Sequence, residues 1–219
     1  LGDLTAGTIN RWLMKLEHNR NRTQILLMSF FKHLYKLDII SERTFKRIEK
    51  VKGAPIATKP ALTKEQVQAV FDAVKQNKQE LIVHLLFKTG LRVSEALALT
   101  KDDIIINTNG LIEIKVNKTL SINRLKYEVV IEPPKTTSSN RSVFVDDLYL
   151  LELLTKALDD TNNILFKGYS GSYLRSQTVW RLFNRLGKRL GFYLSPHIAR
   201  HTYISLALTN NIDLYALTA

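Results

Sequence analysis

"SPHIARHTYIS", residues 195 to 205, joins a helix start to side chains that suit a phosphate group. Ser195 is a favourable N-cap and Pro196 suits the first helical position, so the segment predicts a helix from Pro196 onward. His197 and Arg200 are three residues apart and share one face of that helix. The pair can be interpreted as a phosphate clamp, as metal ligands or as ordinary helix residues.

A metal site at His197 and His201 would need further ligands that the sequence does not supply nearby. His197 and His201 are four residues apart, as in zinc-binding helices, but Ile198 occupies the position at which such a helix carries a glutamate base. The next carboxylate along the chain is Asp213. The sequence therefore predicts no metal and no other cofactor, and His201 is interpreted as a structural residue.

The charge of the chain indicates a polyanionic partner. Its 32 Lys and Arg outnumber 20 Asp and Glu, which gives a net charge of +12. Residues 1 to 60 hold 12 of the basic and 5 of the acidic residues, so the surplus is concentrated at the N-terminus. An ordinary solvated surface would spread its charge more evenly, and we therefore expect contact with nucleic acid.

Composition excludes several classes of protein. The absence of cysteine excludes a disulfide scaffold and thiolate metal sites, and it fits a reducing cytoplasm. No apolar run approaches the ~18 residues of a membrane span. With 219 residues, of which 45% are hydrophobic, the chain can bury one large or two small globular cores.

The pattern of segments predicts two domains. Residues 1 to 52 have helical periodicity with a break at "NRNR", and they form a helical domain that is incomplete. Residues 53 to 61 are rich in Gly and Pro without periodicity, which is typical of a linker. Residues 62 to 219 form a second domain of mixed structure.

Local signals divide the second domain into helices and strands. Thr63 and Gln66 form a capping box before "KEQVQAVFDAVK", and Gly90 ends the helix "QELIVHLLFKT". The β-rich segments "LIEIKV", "YEVVIE" and "RSVFV" follow, and helices resume from Asp146 to the end. The predicted fold class is mostly α with a small antiparallel β-sheet, that is α+β.

Three separated stretches of the second domain combine into a phosphate-directed set. "TGLRVSEALAL" places Arg92 at the start of a helix, "PPKTTSSNRSVFV" places Lys135 in a β-hairpin loop, and "PHIARH" supplies His197 and Arg200. Two planar guanidinium groups can neutralise a pentavalent phosphorane, and a lysine on a mobile loop can protonate a leaving oxygen.

Two neighbours of this set have their own interpretations. Glu95 follows Arg92 by three residues on the same helix and is expected to orient it. Arg141 has two interpretations that the sequence leaves open, namely contact with a backbone phosphate or a solvated strand residue.

The three stretches resemble the tyrosine recombinase, or phage integrase, family, and in particular the integrases of phages and conjugative transposons. They match T-G-L-R-x-S-E, P-K-T and H-x-x-R-H-T in that order, and the resemblance covers most of residues 62 to 215. It implies that residues 1 to 52 belong to a core-binding domain that clamps DNA from the opposite side. The catalytic residues that it implies are Arg92, Lys135, His197 and Arg200.

The resemblance also implies a mechanism that needs no metal and no ATP. A tyrosine attacks a DNA phosphodiester and leaves a 3′-phosphotyrosyl link and a free 5′-hydroxyl, while Arg92 and Arg200 stabilise the phosphorane and Lys135 protonates the departing oxygen. His197 assists proton transfer. The implied partners are duplex recombination sites, a tetramer of protomers on two DNA sites, and accessory DNA-bending or excision proteins.

The chain departs from the family pattern at its end. The family has a Gly-His segment after the H-x-x-R helix and its nucleophilic tyrosine on a later helix, whereas Tyr215 follows Arg200 by only 15 residues. Tyr203 lies on the H-x-x-R helix itself and is expected to be packed. We therefore expect these 219 residues to bind DNA without cleaving it. A type IB topoisomerase and a non-catalytic DNA-binding derivative of an integrase are the alternative interpretations.

Overall fold

The computed structural model describes residues 5–15, 20–48, 60–123, 125, 128–133, 140–160, 163–168 and 171–209. The chain divides into two compact units, Leu1–Thr58 and Lys59–Ala219. The boundary falls within residues 53 to 61. Most of that segment lies outside the described residues, so its interpretation as a linker stays a prediction.

The first unit is helical in its described part. Its helices are α1 (Ala6–Lys15), α2 (Arg20–Lys36) and α3 (Glu42–Lys46). The predicted break at "NRNR" is wrong for residues 20 to 22, which belong to α2. A small core that includes Ile9, Leu13, Phe31 and Ile48 holds the helices together.

The described part of the second unit contains six α-helices. They are α4 (Lys64–Val74), α5 (Glu80–Thr89), α6 (Val93–Ala98), α7 (Leu148–Asp159), α8 (Ser176–Leu190) and α9 (Pro196–Thr209). The capping box of Thr63 and Gln66 is confirmed, because each side chain accepts a hydrogen bond from the other residue's backbone N–H. Gly90 ends α5 in the left-handed conformation, with φ of 62°.

The region after Asp146 is not continuously helical. Between α7 and α8 the chain forms isolated β-bridges, Thr100 with Ile164 and Lys167 with Tyr173. The prediction of helices to the end is wrong here because the polar run "DDTNN" and the glycines at 168 and 171 interrupt the apolar periodicity.

Two small antiparallel sheets confirm the α+β class. β1 (Ile104–Ile106), β2 (Ile112–Val116) and β5 (Arg141–Val145) form one sheet in the order β1-β2-β5, and β3 (Thr119–Asn123) pairs with β4 (Glu128–Glu132) in the other. The strands β1 and β3 were not predicted.

Strand β5 pairs with β2 and not with β4, so the predicted hairpin around Lys135 is wrong. Ile112 of β2 lies opposite Val145, and Ile114 lies opposite Val143. This register places the aliphatic residues of both strands on one core-facing side, which decides strand pairing more strongly than closeness in sequence. Lys135 itself lies outside the described residues, in sequence between β4 and β5, which belong to different sheets.

Helix α5 lies at the centre of the second unit. Its residues Ile82, Val83, Leu85 and Leu86 are fully buried, and the helix packs against α4, α7 and α9. This packing fixes the end of α5, and hence Gly90, relative to α9. Among the residues with described structure, no helix has the length and apolar composition needed to cross a bilayer.

Candidate active site

Arg92 lies directly before α6, two residues after the turn that ends α5. Arg92 Nη1 donates a hydrogen bond to Glu95 Oε1 at 2.7 Å, and the backbone N–H of Arg92 donates to Glu95 Oε2 at 2.8 Å. The predicted pairing of these residues is confirmed. Because 55% of the Arg92 side chain is exposed, its guanidinium is oriented and still open to a ligand.

Glu95 is a buried carboxylate that two arginines share. Only 6% of its side chain is exposed, and Arg141 Nη2 donates to its Oε2 at 3.1 Å. Burial by itself raises the pKa of Glu95, but hydrogen bonds from Arg141 and Arg92 outweigh burial and hold the pKa below its ordinary value. Glu95 is therefore ionised at neutral pH and anchors both guanidinium groups.

Arg141 is a third arginine of the site, which the sequence interpretation did not assign. Only 11% of its side chain is exposed, so the solvated-strand interpretation is wrong. The signal was present in the sequence. Arg141, Val143 and Val145 alternate along β5, and this spacing places Arg141 on the side of the strand that faces the core.

Arg200 extends from α9 to the turn at Gly90, close to Arg92. Its Nη1 donates a hydrogen bond to the backbone carbonyl oxygen of Gly90, two residues before Arg92. Burial, and then the positive charge of Arg92 and Arg141, lower the pKa of Arg200, although a guanidinium keeps its charge at neutral pH. The structure thus brings together the two arginines that come from separate sequence motifs.

His197 lies one turn before Arg200, with an exposed side chain. The helix begins as predicted, since Ser195 Oγ accepts a hydrogen bond from the N–H of Ile198 at 3.2 Å. His201 is exposed as well, which excludes a place in the core. In the part of the chain that the structure describes, no three His, Asp or Glu side chains come together as metal ligands.

Thr202 anchors the helix that carries these residues. It is fully buried, and its Oγ1 accepts a hydrogen bond from the N–H of Leu62 at 3.0 Å. Leu62 immediately precedes the cap of α4, so the start of the second unit and α9 are tied together. This contact restrains the position of Arg200.

Two residues that matter to the sequence interpretation lie outside the described residues, namely Lys135 and Tyr215. Tyr203 is described and is half-buried on α9. Burial raises its pKa, although the positive charge of Arg141 and Arg200 opposes that shift. Tyr203 is therefore a neutral, packed side chain, as the sequence predicts.

The site carries a net positive charge. Three guanidinium groups, those of Arg92, Arg141 and Arg200, are gathered around one carboxylate, that of Glu95. Arginine forks match pairs of phosphate oxygens, and a partly desolvated cluster binds an anion more strongly than exposed lysines do. The arrangement can hold a phosphate group and stabilise charge that develops on it.

The sequence model described as the phage integrase family matches residues 60 to 218, and thus the whole arginine site. The chain belongs to this family. The tyrosine recombinase XerA of Saccharolobus solfataricus is 29% identical to this chain over 232 residues, a match that spans 98% of this chain and 68% of XerA. This chain is thus a tyrosine-type site-specific recombinase.

Solved structures of family members have the same fold. The integrase of transposon Tn1549, solved with circular intermediate DNA, superposes with a TM-score of 0.80 at 20% identity and covers 98% of this chain and 76% of that protein. A lambda integrase tetramer on a Holliday junction gives 0.65 at 18% identity and covers all of this chain and 64% of that one. The described residues therefore have the fold of these integrases.

Proposed function

We propose that this recombinase cuts and rejoins duplex DNA at specific sites through a 3′-phosphotyrosyl intermediate. The observation that carries the proposal is the meeting of Arg92 and Arg200 at Gly90, with Glu95 as their shared buried neighbour. Two arginines from distant motifs are held in one place, at least one of them open to solvent. A DNA phosphate is the anion that fits the family and the charge of the chain.

In the proposed reaction the tyrosine oxygen forms a bond to phosphorus and the bond from phosphorus to the 5′-oxygen breaks. Arg92 and Arg200 bind the non-bridging oxygens and stabilise the phosphorane. His197, exposed one turn before Arg200, is proposed to contact the phosphate and assist proton transfer. The departing 5′-oxygen receives a proton, and attack by a partner strand's hydroxyl reverses the sequence of steps.

We propose Lys135 as the acid that protonates the 5′-oxygen. Support comes from its place in the connection that ends at Arg141, a residue of the arginine site. Lys118 is a second candidate, because Val116 lies opposite Arg141 in the sheet and Lys118 follows Val116 by two residues. The Lys118 ammonium contacts Asp103 at 2.7 Å and donates to Thr100 Oγ1 at 2.9 Å, so it must leave these partners to act.

The proposed assembly is a tetramer on two recombination sites. The lambda integrase tetramer has the same fold and supports this. In the proposed assembly, residues 1 to 52 act as the core-binding domain, and their net charge of +6, from 11 basic and 5 acidic residues, supports this role. Accessory DNA-bending or excision proteins complete the proposed set of partners.

A suicide substrate tests the proposal in the full-length protein. A nick next to the cleavage site lets the cut end diffuse away, so a covalent protein–DNA adduct accumulates and is seen on a denaturing gel. We expect the adduct with wild type, and a loss of at least about a hundredfold in its rate of formation with Arg92→Ala or Arg200→Ala. Adduct formation at wild-type rate in both variants would refute the proposed site.

Paired-site assays separate the alternatives. A type IB topoisomerase would relax supercoiled DNA without exchanging strands between two sites, and a non-catalytic derivative would give neither product. Strand exchange between matched sites, with none between mismatched sites, is the result expected here.

A further inference from the structure

The backbone at Gly90 is covered by the ring of Tyr203. Gly90 has φ of 62°, a conformation that L side chains rarely adopt. A Cβ placed on Gly90 would lie 2.8 Å from Tyr203 Cε1 and closer still to Cδ1, distances that real Cβ atoms do not tolerate. The ring therefore lies directly on the Gly90 backbone, and any side chain at position 90 would push it away.

The same residue receives both contacts from α9. Arg200 donates a hydrogen bond to the Gly90 carbonyl oxygen, and Tyr203, three residues further along the same helix face, packs its ring on the Gly90 backbone. Arg92 follows Gly90 by two residues. A shift of the ring would therefore change the separation between the two arginines.

We propose that Tyr203 is a positioning residue that acts through Gly90 to fix the distance between Arg92 and Arg200. The inference rests on the proposed roles of the two arginines. Tyr203 works by the shape of its ring, since its half-buried hydroxyl stays protonated and carries no charge to the site. Its removal lets α9 and the turn at Gly90 move relative to each other while the fold is kept.

Two substitutions in the full-length protein test this role. Tyr203→Phe keeps the ring, and we expect single-turnover cleavage of the suicide substrate within about twofold of wild type. Tyr203→Leu keeps apolar volume without a flat ring, and cleavage should slow by about tenfold with the Kd for DNA within about twofold. If the Tm of Tyr203→Leu shows that this variant does not fold, Tyr203→Met is measured in its place.

Tyr149→Leu is the matched control for loss of a tyrosine elsewhere in the unit. The Tyr149 hydroxyl donates to Glu80 at 2.7 Å and its ring contacts His84, so its loss lowers stability without touching Gly90. We expect Tyr149→Leu to lower Tm and leave the cleavage rate close to wild type.

A methylphosphonate substrate provides a readout that a merely structural role would not move. A methyl group in place of one non-bridging oxygen removes the charge that the arginines stabilise. The defect of Tyr203→Leu should then shrink from about tenfold to about twofold relative to wild type on the same substrate.

The outcomes distinguish this inference from the proposed function. If Arg92→Ala and Arg200→Ala both cleave like wild type, the proposed function fails. If they are defective while Tyr203→Leu cleaves normally, or slows both substrates equally, only the positioning role is overturned. A defect in Tyr203→Phe as large as in Tyr203→Leu would also overturn it, because the hydroxyl and not the ring would then be required.

Discussion

Arg141 donates a hydrogen bond to Glu95 Oε2 at 3.1 Å although 46 residues separate them in the chain. This contact joins the start of strand β5 to the helix α6, and through Glu95 it also reaches Arg92. Strand β5 and helix α6 thus meet at one buried carboxylate. The orientation of Arg92 depends on a residue that belongs to the sheet.

Glu95→Gln should lower the free energy of unfolding by about 3 kcal/mol, since it leaves two guanidinium groups around a neutral amide in a buried place. Urea denaturation measures the effect. Glu128→Gln, at an exposed position of β4, should change it by less than about 0.5 kcal/mol. A loss no larger than that of the control would show that the arginines do not need the charge of Glu95.

His84 should make the protein less stable in mild acid. Burial lowers the pKa of His84 below the ordinary histidine value of about 6.5, although Glu80 opposes the shift, so the folded state binds a proton less readily than the unfolded chain. Stability is therefore full above pH 6.5 and falls as the pH drops below that value. The free energy of unfolding should be lower near pH 5.5 than near pH 7.5. His84→Phe should reduce this difference, and substitution of an exposed histidine, His33→Gln, should leave it unchanged.

Cleavage rates on a substrate with sulfur in place of the bridging 5′-oxygen should show which of the two candidate lysines, Lys135 or Lys118, is the acid. A thiolate leaves with little need for a proton, so loss of the acid is compensated on this substrate and loss of a phosphate contact is not. Lys135→Ala should regain most of its cleavage rate, while Arg200→Ala stays slow. Recovery by Lys118→Ala instead, with Lys135→Ala unaffected on either substrate, would move the role to Lys118.

Exposed basic residues of α8 should contribute to DNA affinity through phosphate contacts. Arg181, Arg185 and Lys188 are all exposed and recur at helical spacing along one face. Each lost phosphate contact changes the slope of log K against log salt by about 0.9. The double variant Arg181→Gln with Arg185→Gln should therefore flatten the slope by about 1.8, and Lys156→Gln on α7 should leave it unchanged. An unaltered slope in the double variant would exclude α8 from the interface.

Local chemistry explains what could be predicted from the sequence. Thr63, Gly90 and Ser195 mark helix ends by interactions within a few residues, so the start of α4, the end of α5 and the start of α9 were predicted at their observed positions. Arg92 and Arg200 were found because their motifs are specific. Their meeting at Gly90 required tertiary packing that no spacing shows.

Pairing between distant strands explains what could not be predicted. β4 and β5 are adjacent in sequence, and a short turn-rich connection usually indicates a hairpin. Here the buried face of β2 selects β5 as its partner. The position of Arg141 next to Glu95 depends on that choice, although the alternation along β5 already placed Arg141 on the inner side.

Because Val116 lies opposite Arg141, the chain leaves the three-stranded sheet and re-enters it at facing points. Residues 117 to 140 are thus an insert whose length does not set the register of the sheet. Within the insert, β3 contacts α6, Leu120 is buried, and Val129 and Ile131 of β4 pack against the core. Changes of length outside these two strands are therefore the ones that evolution can make without disturbing the contact between Arg141 and Glu95.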